Sequence, residues 1–311
     1  MMSAAQTRQY PPQTRSLSLD DGTRLNILDW RQYCQHRDRP CAILLHGFTN
    51  NSHIWQPLAD DIATAQPLIA IDFRGHGDSD WDPELRYQHD QLMADVAAVL
   101  QQLAIGQHHL IGHSLGARIA LLLAAEHSDK VASLTLIDTG PDVGDNGAAK
   151  VRVDAEAMQQ DFASPEAFSH YLKSIYVFAQ AAAVAALCRH GLKATDDGRY
   201  RVKTDPGFAK VLWKPGERRH DASDLTAPKN QQLWLALDTI DAAGIRCHVI
   251  RGSISAILRA KTANKMLEQH LIKGGQLTTI KRAGHAVICD NPGDTVAAIG
   301  EFLMSPPRRE Q

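Results

Sequence analysis

The chain has 311 residues, with 33 Lys and Arg against 35 Asp and Glu and 44% hydrophobic residues. That composition is globular, not disordered, and a net charge of −2 gives no field to gather nucleic acid. No apolar run approaches the roughly 20 residues that span a bilayer, so no membrane partner is expected. The opening MMSAAQTRQYPPQTR lacks the apolar stretch of a secretory signal, and the five cysteines are scattered without a CxxC. Together these suit a cytoplasmic protein with reduced thiols.

Residues 1–15 read as a disordered tail. Two short apolar stretches around Asp21-Gly22 predict a hairpin over 16–30. Ala42-Ile43-Leu44-Leu45 is a continuous apolar run of the kind that forms a strand buried on both faces. A helix over 54–65, a strand over 67–71 and a long amphipathic helix over 87–103 follow, the last with Leu92, Val96, Val99 and Leu103 on one face. Strands at 109–111 and 131–137 flank a helix over 115–127. Strand and helix thus alternate from 42 to 138, the pattern of a mostly parallel central sheet flanked by helices in an α/β fold. The alternation stops at Thr139-Gly140-Pro141 and resumes with a helix over 230–243, strands at 247–251 and 276–280, and helices over 259–270 and 295–304. The expected organisation is one α/β core, residues 16–140 and 229–305, interrupted by a helical cap at 141–228.

The strongest chemical signal is Gly112-His113-Ser114-Leu115-Gly116, a GxSxG between a predicted strand and a predicted helix. A sharp strand-to-helix turn strains its middle residue and needs small neighbours. It lifts a serine hydroxyl clear of the sheet at the positive end of a helix. Such a hydroxyl needs a base and donors for an oxyanion. His285, in Ala283-Gly284-His285 beyond the last strand, suits the base. The backbone N–H groups of Phe48, after the first core strand, and Leu115 suit the oxyanion, which leaves the His46 side chain a structural role. His108, His109 and His113 space as an alternating strand rather than a ligand set, so no metal is expected.

LLHGFTNNSHIW, DFRGHGDSD, LIGHSLGARIALLLAAEH, LTLIDTGPD and AGHAVICDNPGDTVAAIGEFL lie in order over residues 42–303. In these segments the chain resembles the α/β-hydrolase fold family, in its serine esterase-like branch. The resemblance implies a cofactor-independent hydrolase of a small-molecule substrate, with a serine–histidine–acid triad and an oxyanion hole. In DFRGHGDSD it implies a turn held by Asp72–Arg74 pairing, with His76 near the cavity. It also exposes a departure. The family's acid usually follows the penultimate strand, where this chain reads Arg251-Gly252-Ser253-Ile254-Ser255-Ala256 and has Ala256 at the expected position. Three alternatives stand: Asp138, at the end of the strand after the nucleophile helix, supplies the acid; a dyad works with water or Ser255; or the site is eroded and the protein only binds a ligand.

The segment 141–228 holds eight of the chain's aromatic residues, including Phe178 and Trp213, and 12 residues of each charge sign. Rings laid over the serine would make an apolar cavity, with Trp55, His113, Phe178 and Trp213 as expected lining; rings packed together would only form the segment's own core. The expected substrate is a carboxylic ester or lactone with an apolar part. A thioester or a C–C bond beside a carbonyl is the alternative on the same machinery.

Overall fold

The computed structural model describes residues 10–143, 147, 153, 156, 159–212 and 227–305. Strands β1 (Gln13–Ser18) and β2 (Arg24–Asp29) form the hairpin read around Asp21-Gly22, with Gly22 at φ 84°. Then come β3 (Cys41–Leu45), helix α1 (Gln56–Ile62), β4 (Leu68–Ile71), α2 (His89–Gln102), β5 (His108–His113), α3 (Leu115–Glu126) and β6 (Val131–Ile137). The chain leaves the sheet, forms α4 (Pro165–Ile175), α5 (Ala181–Gly191), β7 (Leu192–Ala194), β8 (Tyr200–Val202) and α6 (Phe208–Leu212), and re-enters through α7 (Ala227–Ala242). It closes with β9 (Arg246–Gly252), α8 (Ala260–Lys265), β10 (Gly275–Ile280), α9 (Val287–Asp290) and α10 (Pro292–Met304).

The sheet order is β1-β2-β4-β3-β5-β6-β9-β10. The hairpin strands are antiparallel and the rest are parallel. The apolar run of β3 shows why the sheet is covered twice. Ile43 and Leu45 face a core with α2, α3 and α7, while Ala42 and Leu44 face one with α1, α10 and the inserted helices α4 and α5. Every residue of β3 is buried. Because β3, β5, β6, β9 and β10 run the same way, the loops after Leu45, His113, Ile137, Gly252 and Ile280 gather at one edge, where such sheets place ligands.

Two expectations need correction. Residues 10–15 of the stretch expected as a loose tail are held in place: the Trp30 indole donates to the Tyr10 carbonyl at 2.8 Å, the Tyr10 N–H donates to Asp60 at 2.9 Å, and β1 begins at Gln13. The inserted segment is not purely helical, since β7 and β8 pair antiparallel as a separate small hairpin. Both strands have only three residues, too short for periodicity to reveal.

Candidate active site

The turn Gly112–Gly116 is as tight as its composition requires. A Cβ on Gly112 would sit 2.3 Å from the Gly116 carbonyl oxygen, and one on Gly116 would sit 2.2 Å from that of Leu45. No side chain fits at either place. Between them Ser114 is held at φ 52°, ψ −114°, a strained conformation for a residue with a Cβ. Its N–H is tied to the Ile137 carbonyl at 2.9 Å, which docks the turn against the end of β6.

His285 follows β10 and reaches back over the sheet edge. Its Nε2 lies 2.9 Å from Ser114 Oγ, and its Nδ1 lies 2.8 Å from Asp138 Oδ2. Asp138, fully buried at φ 49°, follows β6 directly. Its Oδ1 accepts from the Gly252 N–H at 2.9 Å, and its Oδ2 also accepts from the Ser255 hydroxyl. The Ser255 oxygen in turn accepts from the N–H groups of Ile257 and Leu258. Of the groups weighed for the acid position, Asp138 is the one that faces the imidazole, and Ser255 donates to Asp138 rather than to the ring. Ala256 is exposed, and an alanine there has no group to accept from the imidazole. Gly252 permits the crossing of strand ends, since a Cβ there would sit 2.0 Å from the Gly284 carbonyl oxygen.

The loop after β3 lies against the Gly112–Gly116 turn. A Cβ on Gly47 would be 2.6 Å from His113 Nδ1 and 3.2 Å from Ser114 Cβ. Next to it, Phe48 N–H has no hydrogen-bond acceptor among the described residues, and Leu115 N–H opens α3 with no carbonyl one turn behind it. Both donors are therefore unspent. His46 is structural: fully buried, it donates from Nδ1 to the Gly47 carbonyl and accepts the Phe73 N–H at Nε2, and burial holds its pKa below the usual 6.5. Asp72 pins the same loop by accepting the Ser52 N–H at 2.6 Å, together with the Asn26 side chain and the Asp78 N–H. It does not pair with Arg74, as the sequence suggested. Arg74 is buried and bound by Asp82, Asp95 and Asp21.

The expected lining residues do not come together. Trp55 is wholly buried in the core on the α1 side of the sheet, and His76 is wholly buried beneath Phe48 and Phe208. Phe178 is 49% exposed on a turn between α4 and α5. Trp213 lies outside the described residues. His113 is a strut: its Nε2 bonds the His285 carbonyl at 2.9 Å and its ring lies 5.0 Å from the His285 ring. A small apolar cavity of about 30 Å³ instead lies between the loop after Phe48 and the inserted helices, lined by Thr49, Phe168, Tyr171, Leu172, Leu187 and Val202 among others. The rings of the segment also pack together, with Phe162 4.9 Å from Phe168 and 5.6 Å from Tyr171. Among the described residues no cluster of His, Cys, Asp or Glu could hold a metal ion, and no helix is long and apolar enough to cross a membrane.

An eight-stranded, mostly parallel sheet with a serine on a strained strand-to-helix turn defines the class, and comparison gives it a name. The chain belongs to the α/β-hydrolase fold family, whose model matches residues 43–292. It is similar to 2-(acetamidomethylene)succinate hydrolase of Mesorhizobium japonicum, 33% identical over 55% of this chain and 62% of that protein. A putative 2-succinyl-6-hydroxy-2,4-cyclohexadiene-1-carboxylate synthase of Bacillus subtilis is 27% identical over 94% of this chain and 99% of its own. A solved α/β hydrolase from Novosphingobium aromaticivorans superimposes with a TM-score of 0.79 at 26% identity, covering 95% of this chain and 99% of that one. Hydrolase chemistry on a small molecule is the activity class that the family supports.

Proposed function

We propose that the chain is a serine hydrolase that cleaves a carboxylic ester or lactone by acyl transfer. The observation that carries this reading is the continuous hydrogen-bonded line from Ser114 Oγ through His285 to Asp138, at 2.9 and 2.8 Å. His285 removes the serine proton as Ser114 attacks the carbonyl. The N–H groups of Phe48 and Leu115 receive the oxyanion, and His285 then protonates the leaving alcohol. Asp138 fixes the tautomer that leaves His285 Nε2 free to accept, and offsets the positive charge the ring acquires. Water activated by His285 releases the acyl group. A serine at position 114 separates this chain from relatives that need a carboxylate nucleophile, the expected distinction from dehalogenases of the fold.

We assign the apolar side of the substrate to the cavity between Thr49 and the inserted helices α4 and α5, which supports reading the inserted segment as a cap. Turnover of a series of methyl and 4-nitrophenyl esters by wild type and by Ser114→Ala tests the assignment. Hydrolysis of short esters that vanishes in the variant supports it, and hydrolysis that survives in the variant removes Ser114 from the mechanism. Cleavage of a C–C bond beside a carbonyl is the second reading. The nearly full-length match to a synthase whose name carries a succinyl cyclohexadiene carboxylate favours testing it, because that relative's name is not an ester hydrolase's.

A further inference from the structure

The loop after β3 folds back on itself before it leaves the sheet edge. The Asn50 N–H donates to the Gly47 carbonyl at 3.1 Å, which closes a four-residue turn over 47–50 and brings the Asn50 Cα within about 7 Å of the Gly47 Cα. Gly47 is itself against the serine, since a Cβ on it would lie 3.2 Å from Ser114 Cβ. The turn thus keeps Asn50 near Ser114, two residues beyond the Phe48 N–H. Thr49, the third residue of the turn, stands at φ 67°. Glycine or asparagine usually takes that place, and a β-branched residue is strained there. Asn50 is unusual in another way: it is 8% exposed, yet its side-chain amide makes no hydrogen bond among the described residues. Asn51 shows the ordinary arrangement, its Oδ1 accepting the His53 N–H at 3.0 Å and capping the helical turn that follows.

Both residues line the cavity beneath the inserted helices. Thr49 and Asn50 form its wall on the loop side, and Phe168, Leu172, Leu187 and Val202 are part of the wall opposite. Among the described residues no charged side chain lines it. A carboxylate or ammonium placed there would lose its water and find no counter-charge, which disfavours an ionic substituent. A purely apolar group would leave the buried amide unsatisfied. A hydroxyl answers both conditions: it is neutral, it donates to Asn50 Oδ1 or accepts from Nδ2, and the Thr49 hydroxyl can take the other role. The sheet order says which half of the substrate is concerned. β3 and β10 lie on opposite sides of β5, and Ser114 follows β5. His285, beyond β10, protonates the leaving alcohol in the proposed mechanism, so the alkoxy group departs on that side. The acyl group then lies toward the Phe48 N–H and the turn that carries Asn50.

We propose that Asn50 is a specificity residue that binds a neutral hydroxyl on the acyl group, so that the preferred substrate is an ester or lactone of a hydroxy acid. Strain at a residue beside a site is a mark of function, and the strained Thr49 supplies the second polar group of this corner. The inference rests on the ester hydrolase reading and narrows it: the inserted helices take the apolar carbons of the acyl chain, and the loop after β3 takes its hydroxyl.

The test compares methyl 3-hydroxybutanoate with methyl 3-methylbutanoate, which carries a methyl group in place of the hydroxyl, by pH-stat titration. Wild type is expected to favour the better enantiomer of the hydroxy ester in kcat/KM by about tenfold or more. In Asn50→Leu that preference is expected to fall by roughly 10- to 100-fold, because leucine fills a similar volume but offers no donor or acceptor. Thr49→Val is expected to lower it in the same direction and by less. A preference that is absent in wild type, or that survives in Asn50→Leu, overturns the proposal and leaves the hydrolase reading standing. Hydrolysis that survives Ser114→Ala overturns the hydrolase reading instead. In that case, or where neither ester turns over or Asn50→Leu fails to fold, calorimetry of the two esters on Ser114→Ala decides. Tighter binding of the hydroxy ester supports the site; equal or absent binding removes it.

Discussion

Asp138→Asn is the sharpest perturbation of the proposed mechanism. The carboxylate accepts on both oxygens, Oδ1 from Gly252 N–H and Oδ2 from His285 Nδ1 and Ser255. An amide can satisfy only one side. With its oxygen kept on Gly252, its NH₂ donates to His285 Nδ1, and the ring proton moves to Nε2, where it faces Ser114 and cannot accept the hydroxyl proton. With the amide turned over, NH₂ meets the Gly252 N–H donor across 2.9 Å. Comparable removal of a triad acid's charge elsewhere costs about 10⁴ in kcat, or about 5.4 kcal/mol of barrier. The same loss is expected here with KM little changed, because Asp138 is remote from the bound ester. Steady-state ester hydrolysis reads it, with circular dichroism and the thermal midpoint showing that the variant is folded. A folded Asp138→Asn that keeps more than a tenth of wild-type kcat would refute the assignment of Asp138 as the acid.

Ala256→Asp, placed in the Asp138→Asn background, should leave the activity at the variant's level, since position 256 is exposed while the acid that meets His285 is buried; recovery of turnover would show that the site there accepts an acid. Ser255→Ala removes a donor from buried Asp138 and is expected to lower kcat roughly 10-fold, by the worth of one hydrogen bond to a charged group, as measured on the same esters. Gly116→Ala drives a Cβ to 2.2 Å from the Leu45 carbonyl oxygen, so it should abolish activity and lower the thermal midpoint by several degrees; a wild-type midpoint with full activity would contradict the geometry. His109, His190 and His248 each have a pKa lowered to about 4, with burial the largest cause. Such groups are neutral in the fold but protonate near 6.5 when unfolded, so stability should be constant above pH 6.5 and fall as the pH drops from 6.5 toward 4. Urea midpoints that rise over that interval would contradict the sign.

The strand–helix alternation was legible because each parallel strand is buried on both faces and each helix on one, which writes two different periods into the chain. The Gly112–Gly116 turn was legible for a harder reason: Gly112 and Gly116 occupy places with no room for a Cβ, so the motif records backbone contact. Asp138 was visible only as one option among three. Its distance to His285 depends on how the ends of β6 and β9 sit together, and the Asp138 N–H bond to the Ile250 carbonyl at 2.7 Å that fixes this joins residues 112 positions apart. The lining of the pocket was not legible. An aromatic ring in the inserted segment is equally apolar whether it faces a substrate or another ring, and Phe162 and Phe168 face each other while Phe178 faces solvent. Trp55 sits beside the oxyanion loop in sequence but turns into the core.

The most direct test of the central claim is intact-protein and peptide mass spectrometry after exposure to a fluorophosphonate. The serine hydrolase account predicts stoichiometric phosphonylation at Ser114 alone, abolished by Ser114→Ala and strongly slowed by His285→Ala. Folded wild-type protein that remains unmodified, or that is modified at another residue, would contradict it.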